Sequence, residues 1–334
     1  MEDRSSRRDF IMTAAGAAIA APDVRKTRSY NPDMEYRRLG RTGLMISAIS
    51  IGGHWKRIPF KPGSEEFRKN RREVMNACLD RGINYVDACS ANEVMVYAEA
   101  VRDRREEVYM GFDWTLGRAP EIAGSLDRLK QGLDEGLKKS GLDYADLWRI
   151  TLREQATQNS EREIENVMAA LEWGKKSGKA RFTGISTHHR PWIAAAVAKY
   201  PQIEVVVTPY SAGSKERPVG SMFDALRKQD VGLIGIKPFA SGSLFASRGT
   251  PDSPTRDDDD RRARMALRYV LCCDVLSASI PGLITVDQVK NAAAAVKERR
   301  QFETAERAGY EQLTAGMWRR LPAGYDWLRG WEWV

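Results

Sequence analysis

From residue 34 onward, short apolar and β-branched runs alternate with stretches whose apolar positions recur at helical spacing. SAISIGG (47–53), INYVDA (83–88), VYMGFD (108–113), ADLWRITL (145–152), ARFTGIST (180–187), IEVVVTPY (203–210), VGLIGIKPF (231–239) and VLSASIPG (275–282) read as strands. Stretches 66–81, 93–103, 119–139, 161–177, 190–199, 219–229, 258–272 and 285–299 read as helices. Ahead of the first strand, MEYRRLGRTGLMISAI (34–49) reads as a hairpin turning at Arg41, Thr42 and Gly43. Near-continuous apolar strands followed by helices belong to a parallel sheet covered on both faces. Eight such units predict an α/β fold, a closed (β/α)8 TIM barrel with an N-terminal β-hairpin. An open doubly wound sheet would carry G-x-G-x-x-G after its first strand, and none follows here.

Three segments follow: an export signal and linker over 1–33, the barrel over 34–300, and a C-terminal helix with a Trp-rich tail over 301–334. SSRRDFIM (5–12) sets Arg7 and Arg8 before an apolar run, TAAGAAIAA, with small residues suited to cleavage near Ala20 and Ala21. This is the pattern of a twin-arginine export signal. It predicts an exported, periplasmic or extracytoplasmic protein whose partner in transit is the twin-arginine translocation machinery. No stretch approaches the length of an apolar membrane span. The tail carries Trp318, Tyr325, Trp327, Trp331 and Trp333 and packs on the barrel wall or covers its mouth.

Composition narrows the function. The 334 residues are 42% hydrophobic and 29% charged, with net charge +8. No Lys/Arg cluster interleaved with aromatics marks a nucleic-acid face. The four cysteines (78, 89, 272, 273) include no C-x-x-C, so they read as small buried hydrophobes rather than metal ligands. In a barrel of this class the chemistry sits where strands end. Those ends are Gly52 and Gly53, Asp87, Asp113, Thr151, Ser186, Tyr210, Lys237, and Pro281 with Gly282. They predict a small-molecule ligand at the mouth. Asp87 and Asp113, on adjacent strands, form a possible carboxylate pair in which one pKa rises enough for acid–base work. No metal site is expected; His188 or His189, just past the fifth strand, would be the histidines nearest to supplying a ligand. Tail tryptophans suit the apolar face of a sugar. A catalytically silent binding protein is the remaining reading.

The segments YRRLGRTGLMISAISIGG, INYVDA, LDYADLWRI, GKARFTGIST and ALRYVL…SIPG…QV, in that order, resemble the aldo-keto reductases from about residue 35 to 298. That resemblance implies a nicotinamide cofactor, NADP(H) or NAD(H), across the mouth, and a tetrad in which a tyrosine donates the proton. A lysine paired with an aspartate lowers its pKa and a histidine orients the substrate. By the resemblance, Asp87 is the tetrad aspartate, Asn92 stands where the tyrosine is expected, Asp113 where the lysine is, and Thr151 where the histidine is. Ser186 matches a carboxamide-gripping serine, with Thr187 beside it, and Tyr210 the aromatic that stacks on the nicotinamide. Lys237, Pro281, Gly282 and Gln288 are the remaining cofactor contacts. Val207 stands for a glutamine, and Leu283, Ile284 and Thr285 stand where basic residues often hold an adenosine 2′-phosphate. A carboxylate at 113 would raise a neighbouring phenol's pKa, so the family's usual acid does not carry over.

Overall fold

The computed structural model describes residues 23–55, 57–114, 117–214, 220–247 and 252–330. The export motif and Trp331 and Trp333 lie outside them.

An antiparallel hairpin, β1 (Tyr36–Arg38) and β2 (Met45–Ser47), comes first, joined by a 3-10 turn over Gly40–Thr42. Gly43 closes this turn at φ +70°, a conformation that costs a glycine little. Eight parallel strands then run in sequence order: β3 (Ile51–Gly52), β4 (Tyr85–Ala88), β5 (Tyr109–Phe112), β6 (Ala145–Thr151), β7 (Ala180–Ser186), β8 (Val205–Pro209), β9 (Gly232–Ile236) and β10 (Leu276–Ile280). The ring is closed by a parallel bridge between Ile49 and Ser279, where Ser50 donates its N–H to Ser279 O and Ser279 donates to Ala48 O, each at 2.9 Å. The barrel expected from the spacing is the barrel observed.

The outer helices are α1 (Glu65–Asp80), α2 (Ala91–Ala100), the single turn α3 (Pro120–Ala123), α4 (Leu126–Ser140), α5 (Glu161–Lys176), α6 (Arg190–Lys199), α7 (Met222–Gln229), α8 (Arg256–Val270) and α9 (Val286–Ala294). The helix expected over 119–139 is broken, because Ser125 caps a new helix by accepting from Arg128 N. Asp257, Asp258 and Asp259 occupy the first turn of α8, where the helix dipole favours acids. A last helix, α10 (Thr304–Arg319), and the short turn α11 (Trp327–Gly330) pack Tyr310, Met317 and Leu328 against Ala212, Ala240 and Leu244 beside the mouth.

Period-two alternation decides what faces inward. The barrel interior is filled by Tyr85, Tyr109, Leu147, Val205, Val207, Ile234 and Ala278, and plugged from below by Leu39, Leu44 and Ile46 of the hairpin. The segment read as linker is docked under this plug. Arg28 donates to Val108 O at 2.6 Å and to the buried Asp146 at 3.1 Å, and Asn84 donates to Arg28 O at 2.9 Å. One end of the barrel is thus sealed, and the C-terminal ends of the strands are open.

Candidate active site

β4 and β6 carry the site because of their parity. Tyr85 and Asp87 share the inner face of β4; Leu147, Arg149 and Thr151 share that of β6. The outward residues Trp148 and Ile150 belong to the core between strands and helices. One apolar strand therefore delivers a guanidinium into the barrel.

Arg149 is 2% exposed and holds Asp87 in a two-pronged pair, Nε to Oδ1 and Nη2 to Oδ2, both 2.8 Å. Its third nitrogen, Nη1, donates to Thr151 Oγ1 at 2.9 Å and reaches Asp113 Oδ2 at 3.4 Å. The Thr151 hydroxyl in turn donates to Asp113 Oδ2. The other oxygen of Asp113 is buried without a partner. Burial raises the Asp113 carboxyl to about 7, against the opposing pull of Arg149 and Thr151. Arg149 is held well above its ordinary value, because the two carboxylates outweigh its desolvation. Its fork is spent on Asp87, so Asp113 is left with the weaker contact and the unmet oxygen.

Between the two carboxylates read as a pair lies a cation that the sequence reading left out, and the raised carboxyl is Asp113. Arg149 was not singled out in the sequence. Its signal was there: a lone charge inside LWRIT, two residues before a strand-end Thr151, and so on the same face.

A cavity of about 890 Å³ opens above this layer. Asp87, Asn92, Arg149, Thr151, Ser186, Lys237, Pro281, Gly282 and Gln288 all contribute to its wall. Asp113, Thr187 and Tyr210 do not. Asp113 sits behind Thr151. Thr187 turns its hydroxyl to Arg153 O at 3.0 Å. Tyr210, expected to stack on a nicotinamide, is 4% exposed and packs edge-on against Phe223 at 5.7 Å, because its ring turns out toward the helices.

The far wall is strained. Lys237, Ala240 and Ser241 all have positive φ (59°, 45° and 58°) in the loop after β9. Left-handed non-glycine residues clustered in one loop persist where the surrounding structure over-determines them, which happens at binding sites. Beyond that loop the cavity reaches the start of α8 and α9, past Asp252, Asp259, Asp260 and Asp287. Arg256 is there too, paired to Asp287 at 2.7 Å. Gln288 Oε1 accepts from Ile284 N at 2.9 Å, which fixes the turn before α9.

The tail closes one side. Trp327 stacks on His188 at 4.6 Å, and Lys237 lies over the Trp327 ring at 5.7 Å. Burial, with Lys237 and Arg118 nearby, pushes His188 down to about 2, so it is a neutral imidazole. Burial also lowers the Lys237 ammonium, while the Tyr325 phenol pulls it the other way. Tyr325 of the tail and Lys237, just after β9, thus both line the mouth. The other nearby phenol, Tyr85, lies inside the barrel below Asp87, where Gly111 makes room for it: a Cβ there would fall 2.1 Å from the phenol oxygen. Its hydroxyl is buried without a partner and outside the cavity.

The model of the aldo/keto reductase family matches residues 50–265. An L-galactose dehydrogenase of Arabidopsis thaliana is 24% identical over 291 residues, covering 79% of this chain and 89% of that protein. An L-glyceraldehyde 3-phosphate reductase of Escherichia coli is 26% identical over 229 residues, covering 63% of each. Among solved structures, the holo form of an aldo-keto reductase from Bacillus halodurans superposes with a TM-score of 0.62 at 23% identity, over 84% of this chain and 96% of that one.

Proposed function

The chain belongs to the aldo/keto reductase family of oxidoreductases, and we propose that it interconverts a sugar-type carbonyl and its alcohol with a nicotinamide dinucleotide, using a hydroxyl–carboxyl relay instead of a phenol. The observation that carries this reading is the chain Asp113–Thr151–cavity, a carboxyl poised near neutrality behind a hydroxyl at the mouth.

The residues fit a dinucleotide along the strained 237–242 loop and the walls at Ser186, Pro281, Gly282 and Gln288. They do not fit a 2′-phosphate. Among the described residues, Leu283 and Ile284 offer no charge, and Asp252, Asp259, Asp260 and Asp287 line that end of the cavity with Arg256. Carboxylates accept from a free ribose hydroxyl and repel a phosphate there. A bound reduced nicotinamide would supply hydride to the carbonyl carbon. When Asp113 is protonated the bond between them reverses: Asp113 Oδ2–H donates to Thr151 Oγ1, and Thr151 turns its own proton to the carbonyl oxygen, delivering it as it takes the one from Asp113. The Asp113 carboxylate left behind is stabilised by Arg149, whose cation also favours charge developing on the oxygen. A proton passed back from the cavity through Thr151 restores the acid. The sugar assignment rests on the substrates named for the plant and bacterial relatives and on Trp327, an aromatic face at the rim.

Titration of NADH and NADPH into the purified mature chain, read by nicotinamide fluorescence, tests the cofactor. NADH is expected to saturate one site at least about tenfold more tightly than NADPH, a difference of about 1.4 kcal/mol. Tighter NADPH binding would overturn the assignment of the acidic end, and failure of both to bind would overturn the function.

A further inference from the structure

Three side chains of metal-binding type converge on the same cavity from the ends of β3 and β4. His54 follows β3, Cys89 follows β4, and Glu93 is the third residue of α2. Their donor atoms all lie within 4.8 Å of one another. His54 Nδ1 is 2.8 Å from Glu93 Oε1 and 3.7 Å from Cys89 Sγ, and His54 Nε2 is 3.6 Å from the same sulfur. Bonds of about 2.0–2.3 Å in a tetrahedral site place neighbouring donors about 3.3–3.8 Å apart. The sulfur is already at that separation, and the carboxylate needs to open by about half an ångström.

The backbone is built around this group. Gly53 has no side chain where a Cβ would fall 1.8 Å from the Glu93 carboxyl carbon. His54 is held at φ +61°, a costly conformation for a non-glycine residue. Glu93 is oriented by the backbone N–H groups of His54 and Cys89, each donating to its carboxylate at 2.8 Å. Such orienting bonds are what ligating carboxylates carry in metal sites.

We propose that His54, Cys89 and Glu93 form a three-ligand site for a zinc-like divalent transition-metal ion, with the fourth position open to the cavity. One nitrogen, one sulfur and one oxygen donor suit a borderline ion, and three protein ligands with one vacancy are the arrangement of catalytic rather than structural zinc. Binding forms the metal–sulfur bond as the Cys89 S–H proton leaves to solvent, so affinity falls as pH falls. The site stands on its own geometry. Its use, polarising the oxygen of a bound carbonyl or hydroxyl, rests on the function proposed above.

Cobalt(II) added to the chelator-treated mature chain provides the test, since its spectrum reports both geometry and sulfur. One equivalent per chain should give a thiolate-to-cobalt charge-transfer band and the intense visible bands of a tetrahedral ion, and zinc should abolish both. Cys89→Ser should remove the charge-transfer band, and His54→Gln should weaken cobalt binding at least about tenfold. Cys272→Ser, which changes the exposed cysteine, should leave the spectrum unchanged. Absence of the band, or a band that survives Cys89→Ser, overturns the site. A cobalt spectrum without NADH binding would instead leave the metal site standing and remove the dinucleotide.

Discussion

Arg149 is the residue on which the site turns, and its energetics are those of a buried charge with two partners. Desolvating a guanidinium costs several kcal/mol, repaid only because Asp87 meets it along two prongs and Thr151 and Asp113 take the remaining nitrogen. Removing it strands Asp87, which is 4% exposed. Arg149→Met is therefore expected to lower unfolding free energy by about 3–5 kcal/mol in urea denaturation, and Asp87→Asn in the same chain to recover part of it. A loss below about 1 kcal/mol would mean that the pair is solvated and the layer is not closed. At this scale the sequence was only partly readable. Period two places Arg149, Thr151 and Asp87 inside once the strands are known. Which nitrogen meets which oxygen is a matter of barrel stagger, and no spacing in one sequence states it. Tyr210 shows the other limit: its position at a strand end matched a stacking role, but its ring turned outward.

Elements were more legible than contacts. Eight strands and the hairpin announced themselves by apolar runs, since a strand covered on both faces cannot hide its composition. Helix edges shifted where capping chemistry intervened, as at Ser125, and the tail's role was open because burial of Tyr310 and Met317 comes from long-range packing. The docking of Arg28 beneath the barrel was invisible for the same reason. The segment ahead of it, residues 5–21, is an element read by its order of charge and apolarity. We propose that it exports the chain already folded through the twin-arginine machinery, so any dinucleotide would leave the cytoplasm already bound. Changing Arg7 and Arg8 to lysine should hold the full-length precursor in the cytoplasmic fraction; export undiminished by that change would contradict this reading.

The whole molecule is a barrel sealed at one end and open at the other, where three suppliers meet: strands give the Asp87–Arg149–Thr151–Asp113 layer, the tail gives Trp327 and Tyr325, and the β3 and β4 loops give His54 and Cys89. The proton source is the point at which these suppliers compete, because Tyr325, on the wall of the same cavity, is the rival acid. Carbonyl reduction needs the acid protonated, so its rate must fall as pH rises through that acid's pKa. The most direct measurement is the pH dependence of NADH oxidation by an aldose, compared between the wild-type chain and Asp113→Asn. With Asp113 as the acid, the wild-type rate declines about tenfold per pH unit above about 7 and the variant gives a low, flat profile. A wild-type profile flat through that range, or a variant that keeps the wild-type decline, would contradict it and move the acid to the tail.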